Sequence, residues 1–130
     1  MQTPVTHLLS DTSLVGAVVA LRDGGATARL VTTPAMAVDD HGLVHGGFVF
    51  GLADYAAMLA VNHPNVVLGS ADVRFVGPVG VDVEVLAAAQ VREAQGRKRV
   101  VDVSARCGER VVFTGTFTCF VLDQHVMESR

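Results

Sequence analysis

Residues 39–54 hold the chain's densest chemistry: Asp39-Asp40-His41-Gly42-Leu43-Val44-His45-Gly46-Gly47, running into an apolar stretch that contains Asp54. Two features there could act on a substrate. Gly46 and Gly47 fall where a helix should begin. A helix N-terminus presents unpaired N–H groups and a partial positive charge, and glycine lets a ligand approach that backbone closely. Such an end suits a carbonyl oxygen or an oxyanion. The second feature is Asp54, the only formal charge between Leu43 and Pro64. A carboxylate in an enclosed helix costs roughly several kcal/mol unless it is paired or protonated. A raised pKa and a role as base or nucleophile would justify it. So would a cap or an ion pair across an interface.

The elements that must position these groups follow from periodicity. Over residues 46–62, Val49, Leu52, Ala53, Ala56, Leu59 and Ala60 keep the i, i+3, i+4, i+7 spacing of one helical face, and Asn62-His63-Pro64 end it. The helix is apolar nearly all round, so it is expected to be enclosed. Strands are expected at residues 14–22 and 26–33, joined by an Asp23-Gly24-Gly25 turn. After the helix, strands follow at 66–76, 81–93, 98–106 and 110–122, with turns at Gln95-Gly96 and Gly108-Glu109. Residues 3–12 read as a short amphipathic lead-in helix. The chain has 25 Val, 16 Ala and no Ile, which favours strands and close packing. One long central helix wrapped by an antiparallel sheet makes an α+β domain spanning 1–130. One helix covers only part of a sheet face, so the surplus apolar surface points to a partner subunit.

Composition removes several function classes. At 130 residues and 13.6 kDa the chain suits one domain and its core. Half of it is apolar and 18% is charged, which argues against disorder. A net charge of −3 and a pI near 5.9 make nucleic acid a poor partner. Residues 43–61 are long enough to span a membrane, but His45, Asp54 and the absence of flanking Lys/Arg anchors favour a buried helix. The first ten residues lack a basic n-region and an apolar h-region, so a cytoplasmic location is expected, with Cys107 and Cys119 as buried reduced thiols. His41 and His45 have i, i+4 spacing, but Gly42 and the loop setting spoil a metal site, and none is expected.

His45-Gly46-Gly47-Phe48-Val49-Phe50-Gly51-Leu52-Ala53-Asp54 resembles the H-G-G-x-x-x-x-L-x-D signature of hotdog-fold acyl-CoA thioesterases of the phenylacetate-pathway (PaaI) type. Arg74-Phe75-Val76-Gly77-Pro78 and Gln95-Gly96-Arg97-Lys98-Arg99 resemble later stretches of that family, and the likeness runs over about residues 14–122. The resemblance implies a homodimer or homotetramer with active sites between subunits and no cofactor beyond the coenzyme A of the substrate. It implies that the Gly46 N–H, with Gly47 beside it, holds the thioester carbonyl, and that Asp54 of the partner subunit acts as base or nucleophile. It also implies that a polar residue six places before His45 orients water or substrate. That place is usually Asn and is here Asp39, which when ionised accepts hydrogen bonds but donates none.

Supporting roles follow from the same resemblance. His45 either positions the acyl carbonyl or stabilises the loop through backbone hydrogen bonds, and the supporting role is the one expected, since the chemistry needs its location more than its titration. Arg97, Lys98 and Arg99 make the densest basic run. That run is either a solvated hairpin shoulder or a contact for coenzyme A phosphates, with Arg74 a weaker candidate. Gly47 and Gly51 form G-x-x-x-G, read as close packing of the helix on a helix or sheet. The function expected is hydrolysis of an acyl-CoA thioester. The alternatives are an acyl-CoA-binding or sensing protein without turnover and a hotdog enoyl-CoA hydratase using His45 and Asp54.

Overall fold

The computed structural model describes residues 2–128. A short helix, α1 (Thr12–Val15), precedes a hairpin of β1 (Ala17–Arg22) and β2 (Gly25–Val31). A 3-10 turn at Pro34–Met36 leads to the long helix α2 (Gly46–Val61). Four strands follow: β3 (Val66–Phe75), β4 (Glu84–Gln95), β5 (Lys98–Cys107) and β6 (Arg110–Val121). The six strands form one sheet in the order β1-β2-β4-β5-β6-β3. Every neighbouring pair is antiparallel, and α2 lies mainly over β2, β4 and β5.

The alanines explain how the helix seats. Ala26 and Ala28 of β2 pair with Ala89 and Ala87 of β4, and Ala105 of β5 lies opposite Ala87. All five are buried, as are Ala53, Ala56, Ala57 and Ala60 of α2. Small side chains on both surfaces make a seam along which helix and sheet approach closely. Toward β6 and β3 aromatic rings take the place of the alanines. Phe50 of α2 lies 5.5 Å from Phe117, between ring centroids, and Phe113 lies 6.3 Å from Phe117 and 5.3 Å from Phe75.

Several elements differ from their sequence expectation. Residues 3–12 are not a helix; the helix forms instead at Thr12–Val15, where Asp11 caps it by accepting from Ser13 N–H at 2.8 Å. The first strand therefore starts at Ala17. The fourth starts at Glu84 because Asp82 has φ of +58°, which breaks the alternation begun at Val81. Residues 98–107 alternate as expected, with Val101, Val103 and Ala105 buried and Asp102, Ser104 and Arg106 facing out. Among the described residues no helix is long and apolar enough to cross a membrane.

Candidate active site

The loop before α2 is bolted to the body by its backbone. Val44 N–H donates to the Val79 carbonyl at 2.8 Å, His45 N–H to Met36 at 2.9 Å, and Val38 N–H to Leu43 at 2.8 Å. Asp39 serves this loop: its Oδ1 accepts from His41 N–H at 3.0 Å and from Leu43 N–H at 3.2 Å. Gly42, at φ of +78°, supplies the left-handed turn between them.

His45 is the N-cap of α2. Its Nδ1 accepts from Gly47 N–H at 2.7 Å, so the neutral ring carries its proton on Nε2. The cap takes up one of the orphan donors of the helix end. His45→Ala is expected to lower stability by about 1 kcal/mol, and His45→Asn, a good N-cap, to keep most of it. Thermal unfolding checks this, and an alanine variant as stable as the parent would show that the cap contributes nothing.

Gly46 N–H has no acceptor among the described residues. It opens onto an apolar groove of about 410 Å³ lined by Leu43, Gly46, Val49, Phe75, Pro78 and Val112 among others. A Cβ at Gly46 would come within 3.2 Å of the Phe75 ring, so glycine keeps that donor reachable.

Asp54 lies eight residues along the same helix, about 12 Å away at 1.5 Å per residue. Its Oδ1 is buried with no hydrogen-bond partner. Burial pushes the carboxyl up from its ordinary value, and the charge of His7 pulls against that. Cys119, on β6, is pushed up to about 12 by its own burial and by the Asp54 charge, and so stays a neutral thiol. The helix face leading to Asp54 is open. Gly47 is exposed, and a Cβ built on Gly51 would meet nothing within 4 Å. Within one chain the G-x-x-x-G spacing therefore packs nothing at Gly51.

The remaining candidates divide by place. Arg97 is ion-paired with Asp123. Arg99 Nη1 donates to the Gly96 and Lys98 carbonyls at 2.7 and 3.0 Å, and Lys98 is exposed. Arg99 pairs with Cys119 across the sheet, so this basic hairpin stands at the Asp54 end of the molecule. Val112, which lines the Gly46 groove, lies seven residues back along β6, roughly 23 Å at about 3.3 Å per residue. Arg74 pairs with Thr114 and lines a shallow depression with Asp72, Asp102 and Thr116 on the sheet face turned away from α2. His41 is exposed beside Asp40 at 3.4 Å. Among the described residues no group of three or more His, Cys, Asp or Glu could hold a metal ion.

His7, Thr6 and Asn62 gather at the Asp54 end, and sequence reasoning missed their grouping. Its only trace was Asn62 as a helix terminator, since an extended segment carries no helical period.

Comparison with known proteins places the chain. Residues 34–120 match the model of the acyl-CoA thioesterase N-terminal domain. A solved structure, uncharacterized protein PH1136 from Pyrococcus horikoshii, is 49% identical, covers 97% of both chains and superposes with a TM-score of 0.96. A curated relative, the methylthioribose-1-phosphate isomerase of Aquifex aeolicus, is 50% identical over 119 residues. That match takes 91% of this chain but only 26% of the isomerase, so the chain spans about a quarter of that relative's length. The Escherichia coli PaaI protein from the phenylacetic acid degradation operon is 24% identical, with 79% of this chain and 80% of that one covered and a TM-score of 0.73, a likeness of fold alone. A six-stranded antiparallel sheet around one long helix, and a family match over residues 34–120 that takes in both Gly46 and Asp54, lead to one placement: the chain has the hotdog fold and belongs to the acyl-CoA thioesterase domain family.

Proposed function

We propose that the protein hydrolyses an acyl-CoA thioester to the free acid and coenzyme A, at a site formed by two copies of the chain. One observation carries the reading: an unused N–H at Gly46 and an unpartnered, buried carboxylate oxygen at Asp54 lie on one helix but about 12 Å apart. A reacting carbon must sit about 3 Å from both an oxyanion donor and the attacking group. A single chain does not bring them that close. A second copy, laid antiparallel along the helix face left open at Gly51, would bring its own Asp54 to Gly46.

The chemistry then follows from the groups. Asp54 takes a proton from water as the water oxygen bonds to the thioester carbon. The carbonyl oxygen becomes an oxyanion held by Gly46 N–H and the helix end. The tetrahedral species collapses, the C–S bond breaks, and the coenzyme A thiolate leaves and is protonated. Direct attack by Asp54, giving an anhydride that water cleaves, uses the same two groups. Neither route calls for a metal or a further cofactor. The apolar groove beside Gly46 suits an acyl or pantetheine chain. Lys98, with Arg97 and Arg99, is offered to the coenzyme A phosphates. A homodimer or homotetramer in the cytoplasm, where coenzyme A is used, completes the reading.

A second reading, acyl-CoA binding without turnover, is favoured by Asp39. It stands where the thioesterase pattern usually has Asn, and its side chain is spent on its own loop. The hydratase alternative fares worse, because the His45 ring is spent as a helix cap.

A panel of aryl, short, branched and medium-chain acyl-CoA esters, followed by thiol release, tests the proposal. Turnover that prefers one acyl class is expected. Gly46→Val and Asp54→Asn should each be inactive alone, and mixed after subunit exchange they should recover activity, because each mixed dimer keeps one intact site. Binding of the esters with no thiol release would favour the second reading, and no recovery on mixing would sink the shared site.

A further inference from the structure

Phe75 ends β3 and stands beside the start of α2. It pairs with Phe113 across β3 and β6. The chain just beyond it is fixed at one carbonyl, because Val76 N–H and Gly77 N–H both donate to Val112, at 2.9 and 3.2 Å. The Phe75 ring leans edge-on against buried Phe113, with centroids 5.3 Å apart and planes at 78°, an arrangement that aromatic pairs favour. A Cβ built on Gly46 would lie 3.2 Å from Cε1 of this ring, 3.5 Å from Cδ1 and 3.7 Å from Cζ. Carbon atoms in contact lie about 3.5–4.0 Å apart. The ring edge therefore leaves less than full room for one methyl group beside the peptide that carries the free N–H.

The groove that the ring borders has one chemistry. Among the described residues, none that lines it has a polar side chain. The pantetheine arm of coenzyme A carries two amides and a hydroxyl, which would lie there without partners. A hydrocarbon chain has no such groups to leave unpaired, so the groove fits the acyl part of a thioester. A carbonyl oxygen accepting from Gly46 N–H sits about 2.9 Å from that nitrogen, and the acyl α carbon is two bonds further on. The first carbon of a chain running from the donor into the groove thus passes the Phe75 ring edge. Later carbons meet Leu43, Val49 and Val112.

We propose that Phe75 sets the acyl specificity of the site: its ring edge beside Gly46 admits acyl groups with an unbranched α carbon and turns away those that carry a methyl group there. Branching one carbon further out is tolerated, because it lies past the ring. The proposal rests on the thioesterase reading only in taking Gly46 N–H as the donor to the thioester carbonyl.

The coenzyme A thioesters of three isomeric acids test it: pentanoyl, 3-methylbutanoyl and 2-methylbutanoyl. Their apolar content is the same, and only the place of the branch differs. For the parent, kcat/KM on 2-methylbutanoyl is expected to fall roughly 10–200-fold below that on pentanoyl, the range for one carbon in an apolar pocket. The 3-methylbutanoyl ester should stay close to pentanoyl. Phe75→Ala should bring the ratio of 2-methylbutanoyl to pentanoyl near unity, and Phe75→Leu part of the way. A ratio does not depend on the folded fraction of a variant, so a loss of stability leaves it readable. Leu43→Ala, which trims another exposed side chain of the groove, should keep the parental ratio. A parent that takes all three esters alike, or an unchanged ratio in Phe75→Ala, overturns the proposal. An equal rise in Leu43→Ala overturns the assignment to the ring. Ketone analogues of the same esters, with a methylene in place of the sulfur, bind without turnover and are followed by calorimetry. The same order of affinity, lost in Phe75→Ala, in a protein that releases no thiol from any ester would sink the hydrolase reading and keep this one. Thiol release with no discrimination at the α carbon would do the reverse.

Discussion

Asp54→Asn is expected to cut kcat by roughly 10²–10⁴-fold, the range for removing a general base, and at the same time to raise the melting temperature at neutral pH. The first effect needs only that Asn cannot take a proton. The second comes from burial. The folded-state pKa of Asp54 lies above its ordinary value, chiefly through desolvation. Between the unfolded and folded pKa values the native state binds more protons than the unfolded state, so stability falls as pH rises through that window. Above it the parent carries the full cost of an ionised, half-buried carboxylate, and Asn does not. A gain of about 1 kcal/mol is expected at pH 7.5. It should fade as pH drops below the ordinary carboxylate range, where the parent is neutral too. Parallel thermal melts at pH 7.5 and pH 4, beside the thiol-release assay, read both effects. A variant that is less stable than the parent at pH 7.5 would show that Asp54 has a partner in solution that makes it structural, and a variant with parental kcat would remove it from the chemistry.

Phe117→Ala should be the most damaging single change to the fold, at about 3–5 kcal/mol. Phe117 is fully buried, with Phe50 at 5.5 Å and Phe113 at 6.3 Å between ring centroids. The backbones of β6 and α2 are fixed by the sheet ladder and by the alanine seam, so the hole left by the ring is poorly refilled. Total stabilities of small proteins run about 5–15 kcal/mol, so about a fifth or more of the whole would be lost. Urea unfolding should show a much lower midpoint at nearly the same slope. Phe75→Ala is the control: that ring is 55% exposed, and its removal should reshape the Gly46 groove at far smaller cost. A loss under about 1 kcal/mol in Phe117→Ala would mean that the aromatic wedge collapses freely and is not what spaces the helix from β6.

The central helix, its start at Gly46 and the carboxylate inside it were legible because a 3.6-residue period and a single charge in an apolar run are local signals. The same held for the late hairpins, whose alternation survives in Val101, Val103 and Ala105. The early segment was not legible. Residues 3–12 have an amphipathic look, but Asn62, some sixty positions away, binds Thr3 and Val5 and holds them extended. Long-range hydrogen bonds of that kind leave no period, so nothing in the sequence marked that His7 packs toward Tyr55 of the helix. Arg74 illustrates a second limit. Its neighbours in sequence fit a family stretch, yet which face it occupies depends on strand register, and one residue of register exchanges faces. The basic hairpin illustrates a third: its composition suits phosphates, but only the pairing of Arg99 with Cys119 fixes which end of the helix it serves.

The alanine seam distributes adaptability unevenly. Alanine has no side-chain rotamers to lose or to change, so it packs α2 on β2, β4 and β5 without an entropy cost and without any means of giving way. A ligand pressing on that part of the helix meets a surface that cannot rearrange. Breadth of ligand tolerance must therefore reside where rotatable side chains remain, in Leu43 and Phe75 at the mouth of the groove and in Phe48 and Phe50 along the helix. Variation among relatives at those positions would retune what the protein accepts while the height of the helix above the sheet stayed the same.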